Sequence, residues 1–190
     1  MKARPLLPLL MFACLPLSGC PSYSVNPLYT DKDAVVEPNL EGTWISSDSS
    51  DKEEFVFQKS GDHKYNLAMV NPDTKVRQNF QVHLVRLGSQ MFMDFMYENQ
   101  TINGVKLDDP VGVIPAHVIA KVKISPDDLA YAGLEDDAIK SQSVSKGSPL
   151  DYQMAGGSLL ITAQTDALRR YVSAHADDAF SKLEHLRRIK

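Results

Sequence analysis

The stretch Gly42-Thr43-Trp44-Ile45-Ser46 marks the point at which the sequence takes on a period of two. Downstream of it, short apolar segments alternate with polar residues and are bounded by Gly, Pro, Asn and Asp. Such alternation predicts β-strands with one buried face, and closely spaced turn residues favour antiparallel neighbours. We therefore expect the folded domain to begin at this stretch and to consist mainly of antiparallel strands.

Further strands are predicted along the rest of the chain. They cover residues 54–58, 65–70, 80–84, 91–97, 118–124, 129–133 and 158–163. Residues 125–128 are compatible with a helix start or a hairpin turn, and the hairpin is preferred because the period of two continues beyond them. About eight strands are typical of a small closed barrel whose interior holds side chains or one small ligand.

The remaining segments are predicted to be loops and helices. Residues 98–114 and 141–149 are predicted loops, and 134–140 a short helix. A late helix is predicted to begin at Thr165 and Asp166, because apolar residues then recur at helical spacing. The basic tail, 182–190, is predicted to fray or to extend a last helix.

The first 20 residues combine a basic start, an apolar run and a cysteine. The apolar run, 6–17, is too short and too rich in proline for a transmembrane helix and is typical of a signal peptide. Its end, Leu17-Ser18-Gly19-Cys20, resembles the lipobox of bacterial lipoproteins. The resemblance implies cleavage before Cys20 and a lipid on the Cys20 thiol; the alternative is an ordinary signal peptide with an incidental cysteine.

A domain organisation follows from this resemblance. We expect a signal peptide at 1–19, a lipid-anchored tether at 20–39 and the barrel domain with its late helix at 40–190. The tether is rich in proline and polar residues, and docking of its second half is left open. Because Pro21 stands where inner-membrane lipoproteins usually carry Asp, the outer membrane of a bacterial cell envelope is favoured.

The net charge argues against two kinds of partner, and the cysteines predict a mature chain without thiols. The net charge of −4 argues against a nucleic-acid-binding face. Loss of Lys2 and Arg4 with the signal peptide would change the charge from −4 to −6, which argues against electrostatic attachment to anionic lipid. The two cysteines are Cys14 and Cys20. The first would leave with the signal peptide and the second would carry lipid, so a mature chain without a free thiol or a disulfide is expected.

Two resemblances concern the folded part of the chain. Gly42-Thr43-Trp44 is similar to the Gly-x-Trp signature of the lipocalin and fatty-acid-binding group, which implies a lipocalin-like barrel closed at one end by the Trp. In that group an Arg often covers the Trp, and Arg169 or Arg170 could imitate it, although both lie on the predicted helix. Residues 26–30, 40–44 and 175–178 also resemble a group of uncharacterised bacterial lipoproteins, which implies no activity.

Methionine and aromatic residues suggest where a ligand would bind. Met91 and Met93 lie with Phe95 on one predicted strand, and Trp44 opens another. These four side chains are either ordinary core or the lining of an adaptable apolar cavity for a lipid or another oily ligand.

The sequence contains no recognised catalytic motif, and no cofactor or metal is predicted. The histidines lack metal-binding spacing; His83 and His117 lie in strands and could meet at a metal, but satisfied core or surface histidines are favoured. We therefore expect a non-enzymatic, membrane-anchored envelope lipoprotein that binds an apolar small molecule or an envelope protein. The alternatives are an interaction or structural protein with a solid core, and an enzyme with an unrecognised site.

Overall fold

The computed structural model describes residues 22–30, 32–48, 52–106, 115–145, 150–155 and 157–189. The predicted signal peptide and the predicted lipid attachment residue, Cys20, lie outside these ranges, as do parts of the two predicted loops.

Thirteen strands, two α-helices and one short 3-10 helix lie in the described residues. The helices are α1 (Asp136–Ser145), α2 (Thr165–Ala174) and the 3-10 turn Pro38–Leu40. The strands are β1 (Tyr23–Ser24), β2 (Ala34–Val35), β3 (Gly42–Ser46), β4 (Glu54–Lys59), β5 (Tyr65–Asn71), β6 (Val76–Leu87), β7 (Gln90–Ile102), β8 (Val105–Lys106), β9 (His117–Ile124), β10 (Asp128–Gly133), β11 (Tyr152–Ala155), β12 (Ser158–Ile161) and β13 (Glu184–Arg188). None of the helices in the described ranges is both long and apolar enough to cross a membrane.

Eight of these strands form a closed antiparallel barrel, which confirms the predicted fold class. The order around the barrel is β3, β4, β5, β6, β7, β9, β10 and β13, and β13 pairs back with β3. The predicted hairpin between β9 and β10 is present.

The last barrel strand corrects a prediction. Residues of the tail predicted to fray or to continue a helix instead form β13, which lies between β10 and β3 and closes the barrel. Leu186 is the buried apolar residue of this strand, and the other four positions are polar or charged. A period of two is invisible in so short and polar a strand, whose place is set by its two neighbours.

Two other boundaries also differ from the sequence predictions. Part of the predicted loop at 98–114 is regular, because β7 continues to Ile102 and turns into β8. Helix α1 begins two residues later than predicted and extends into the predicted loop at 141–149. The short, polar strand ends and the serine-rich second half of α1 give weak local signals.

The inside of the barrel is one apolar cluster. It is built from the inward-facing residues of the barrel strands, including Trp44, Phe55, Leu67, Phe95 and Tyr131. Alternation along each strand points these side chains inwards and the intervening ones outwards.

A second apolar cluster covers one outer side of the barrel. The outward-facing residues Val85, Phe92 and Ile119 pack there against residues of α1, α2 and β12. This second layer explains why β7 is apolar on both faces: Met93 and Phe95 face the barrel interior, while Phe92 faces the helices.

The segment before the barrel is also part of the fold. Residues 22–30 and 32–36, here named the strap, pack on the outside of the barrel. Strand β1 pairs with both β9 and β12, β2 pairs with β6, and Leu28 is fully buried. From the sequence, residues 20–39 were predicted to be a tether, and the sequence did not decide whether its second half docks on the domain. In the structure both halves of the described strap dock, because they bury apolar residues and bond with the barrel and helices.

Candidate functional site

A buried Asp–His pair lies beneath the strap on the outside of the barrel. Asp94 is on β7 and is 1% exposed, and His117 is on the neighbouring strand β9. Asp94 Oδ1 lies 2.6 Å from His117 Nδ1, and Asp94 Oδ2 accepts a hydrogen bond of 2.6 Å from the Leu28 backbone N–H. Both oxygens of the Asp94 side chain thus have a polar partner in the protein, as a buried carboxyl group requires.

Aromatic rings extend this pair. The Tyr29 ring stacks on His83, with 3.7 Å between ring centroids, and meets His117 edge-on at 6.2 Å. The structure thus brings together the two strand histidines named from sequence, through the Tyr29 ring. No group of three or more His, Cys, Asp or Glu residues suited to a metal occurs in the parts of the chain that the structure describes.

Sequence reasoning missed Asp94, Leu28 and Tyr29 as members of this site. One signal was present: Asp94 is the charged residue in the apolar segment Met91–Tyr97. A carboxylate in such a segment requires a buried partner, but the sequence does not say which residue provides it.

An Asp–His pair is also the arrangement that activates a histidine as a general base. Here the histidine is 8% exposed and the second carboxylate oxygen is bonded to the strap. The hydrogen bonds of Asp94 therefore connect three parts of the chain: β7, β9 and the strap.

Further polar contacts fix the strap to the helical side of the molecule. Asn26 Nδ2 donates to the Ala163 carbonyl at 2.9 Å, and Thr165 Oγ1 donates to the Pro27 carbonyl at 2.9 Å. Arg169 donates to the Leu28 carbonyl at 3.0 Å and pairs with Asp33 at 2.7 Å. Residues 26–30, which resemble a segment of uncharacterised bacterial lipoproteins, thus attach the strap to α2 and to the residues just before it.

The Asp33–Arg169 pair predicts a pH dependence of stability. Burial raises the pKa of Asp33, but the hydrogen bonds from Thr30 and the charge of the Arg169 guanidinium outweigh this effect and hold the pKa below its ordinary value. A lowered folded pKa contributes stability above the unfolded pKa, and this stability is lost as pH falls through the folded pKa. Asp33→Asn should therefore be less stable than wild type at neutral pH, with a difference that shrinks below about pH 4. Urea midpoints across this range test it; a constant difference would contradict it.

The Trp44 ring is covered by an arginine other than the two that the lipocalin resemblance suggested. Trp44 is fully buried, and its indole N–H donates to the Leu40 carbonyl at 2.9 Å. The Arg188 guanidinium lies 4.2 Å from the centre of the Trp44 ring. Arg169 lies on α2, as predicted, and contacts Leu28 and Asp33 of the strap instead. Arg188 was missed because it lies on the unpredicted strand β13.

Arg188 also ties three chain segments together. Its guanidinium donates to the carbonyls of Pro126 and Glu41, each at 2.5 Å, and to the carbonyl of Asn39. A planar guanidinium can serve several acceptors at once while stacking on an aromatic face.

The four residues predicted to line a ligand cavity are brought together. Trp44, Met93 and Phe95 are buried members of the interior cluster, and Met91 is partly buried against it. A depression of about 130 Å³ lies elsewhere, on the outer face of β4 to β7. Its lining is largely polar and includes Gln58, Asn66, Arg77, Glu98 and Asn99.

The fold and site define a class: a small eight-stranded antiparallel β-barrel with a helical cover and a docked N-terminal strap. No protein-family model, curated protein or solved structure matches the chain.

Proposed function

We propose that the chain is a bacterial envelope lipoprotein, held at the membrane by a lipid on Cys20, whose barrel is a non-enzymatic interaction or structural module. The anchor is supported by the sequence Leu17-Ser18-Gly19-Cys20 after an apolar run. A thiolate is the side chain suited to a thioether bond with a diacylglycerol. Two or more acyl chains hold a protein at a bilayer stably, whereas one does not.

The packing of the barrel interior favours an interaction or structural module over a carrier of an apolar ligand. Trp44, Met93 and Phe95 pack within one cluster of buried side chains, and Met91 packs against it. In a lipid carrier these residues would instead line an empty or ligand-filled space. The proposed partner is therefore an envelope protein that contacts the outer surface.

A structural role for the Asp94–His117 pair supports the non-enzymatic part of the proposal. A general base must come within hydrogen-bond reach of a substrate proton. The candidate base is His117, which is 8% exposed and meets the Tyr29 ring of the strap edge-on at 6.2 Å, so little of the imidazole is within reach of a substrate.

Replacement of Cys20 tests the anchor. In a lipoprotein-processing bacterium, the Cys20→Ser variant of the full chain should move from the membrane to the soluble fraction, because the thioether cannot form. Cys14→Ser is the matched control, since it removes the other cysteine and should leave fractionation unchanged. Density separation of the two membranes tests the preference for the outer one. If Cys20→Ser stayed in the membrane, the proposal would be refuted.

Mass spectrometry of the membrane-extracted protein tests the two parts of the proposal separately. The intact mass should show the acyl chains on Cys20. A native spectrum should show no further small molecule bound in stoichiometric amount. If a bound small molecule were found, and if it were absent from the Met93→Trp variant, in which a larger side chain fills the interior, the protein would be an apolar ligand carrier and not an interaction module.

A further inference from the structure

The polar depression on the outer face of β4 to β7 follows from the register of these four strands. One row of paired residues crosses its floor from strand to strand, in the order Val56, Ala68, Asn79 and Asn99. Ala68 is the smallest member of this row and is 3% exposed. A methyl group between longer side chains leaves a hollow, whose volume is about 130 Å³.

A β-bulge adds a carboxylate to this depression. The pairing of β6 with β7 shifts after Asn79, so that Glu98 is an extra residue on β7. Successive strand residues normally point to opposite faces, but Glu98 and its neighbour Asn99 both line the depression. Bulges are common beside functional sites, where they redirect a side chain.

Hydrogen bonds hold part of the lining in place. Arg77 Nε donates to Asn79 Oδ1 at 3.0 Å, and Asn79 Nδ2 donates to Asn99 Oδ1 at 2.8 Å. This chain of bonds leaves the Nη groups of Arg77 and the Nδ2 group of Asn99 as further donors. Because these donors are already oriented, a ligand that accepts from them loses less conformational entropy on binding.

Other polar groups of the lining have no partner among the residues that the structure describes. The side chains of Gln58, Asn66 and Glu98 are exposed and form no hydrogen bond or ion pair within the described ranges. Arg77 and Glu98 line the same depression without forming a salt bridge with each other. The depression therefore offers unused donors and acceptors, with one positive and one negative charge.

These unused groups suit a ligand with several hydroxyl groups. A hydroxyl both donates and accepts a hydrogen bond, and the amides together with the guanidinium and the carboxylate supply both roles. An anion such as phosphate would be attracted by Arg77 but repelled by Glu98. We propose that the depression binds one unit of a neutral saccharide, whose hydroxyl groups bond to Asn66, Glu98 and Asn99. This site is additional to the partner protein proposed above and does not depend on the lipid anchor.

The open shape of the site sets the expected affinity. Gln58, Asn66, Arg77 and Glu98 are all exposed, so a bound sugar unit would keep one face in water. A single sugar unit should therefore bind with a dissociation constant of about 1 mM. Such a ligand is lost during extraction, and binding has to be measured with added saccharide.

An NMR titration tests the site. The isotope-labelled full chain, extracted from membranes in a detergent without a sugar headgroup, is titrated to about 20 mM with four separate probes. Chitotriose and maltotriose are the neutral saccharides, and free alanine and inorganic phosphate represent a zwitterion and an anion. At least one saccharide should shift the side-chain amide signals of Asn66 and Asn99. If neither saccharide shifted them, or if alanine or phosphate bound more tightly, the inference would be overturned.

Two variants test whether the saccharide binds in the depression. Glu98→Gln should weaken binding about tenfold, because hydrogen bonds to a charged group are the stronger ones. Asn66→Ala should weaken it about threefold to tenfold, through loss of a neutral hydrogen bond. Both side chains are exposed, so the backbone amide spectrum away from the depression should stay unchanged.

Matched controls come from exposed residues outside the depression. Asp127→Asn, in the turn between β9 and β10, and Gln153→Ala, on β11, should bind the saccharide as tightly as the wild type. Wild-type affinity in both depression variants would place the saccharide elsewhere and overturn the inference, as would equal losses in the variants and the controls.

Discussion

The Asp94→Ala variant is expected to lose unfolding free energy, at about 1–3 kcal/mol for each of the two buried groups that it leaves without a hydrogen-bond partner. The substitution leaves the buried His117 ring without its partner 2.6 Å away and the Leu28 N–H without an acceptor. Urea denaturation of the domain measures the loss. Asp62→Ala, at an exposed turn, is the matched control and should change stability by less than about 0.5 kcal/mol.

A second readout separates this contact from general destabilisation. Hydrogen exchange at the Leu28 amide should accelerate in Asp94→Ala more than exchange in β5, because the strap loses a bond at that point. The double variant Asp94→Ala with His117→Ala should be less destabilised than the sum of the single variants, because the contact between the two side chains is lost in each single variant but only once in the double variant. Additive losses, or a loss below about 1 kcal/mol, would contradict a buried, coupled pair.

The Trp44→Ala variant should lose a similar amount, about 3–5 kcal/mol, because it removes a large, fully buried ring from the interior cluster. It also removes the indole N–H that donates to the Leu40 carbonyl, and the surface on which Arg188 stacks. Thermal and urea unfolding of the domain measure the loss. Trp44→Phe should recover part of it by refilling most of the space.

Variants of Arg188 test whether the closure of the barrel depends on that residue. Arg188→Lys should still be destabilised, because a compact ammonium group lacks the planar fork that donates to these carbonyls while its face stacks on the Trp44 ring. The neighbour Arg187 is exposed on the same strand, and Arg187→Ala is the matched control. If Arg187→Ala and Arg188→Ala had equal effects, β13 would contribute only its backbone bonds and not the contact with Trp44.

The fold class was predictable because the evidence for it is local. Phe80, Val82 and Leu84 alternate with Gln81 and His83, and each such strand needs only its own residues and a turn to be recognised. The hairpin at 125–128 was likewise predictable from turn chemistry. These signals suffice for an antiparallel barrel of about eight strands.

The candidate site was only partly predictable. His83 and His117 were recognisable as strand histidines, but their partners, Tyr29 and Asp94, lie far away in the sequence. The strap was predicted as a tether because its prolines and polar residues carry no period. Its docking depends on bonds to Asp94, Ala163 and Arg169, which exist only after the barrel and α2 are in place.

The sequence by itself determined the alternation of the barrel strands and the character of the N-terminal segment, since both are written in consecutive residues. The tertiary structure decided which residues close the barrel and what the strap does. Leu186 and Arg188 form a barrel strand because β3 and β10 provide two open edges for them. Asp94 is stable in an apolar strand because His117 and Leu28 meet it from other parts of the chain, and such long-range pairing leaves no local pattern.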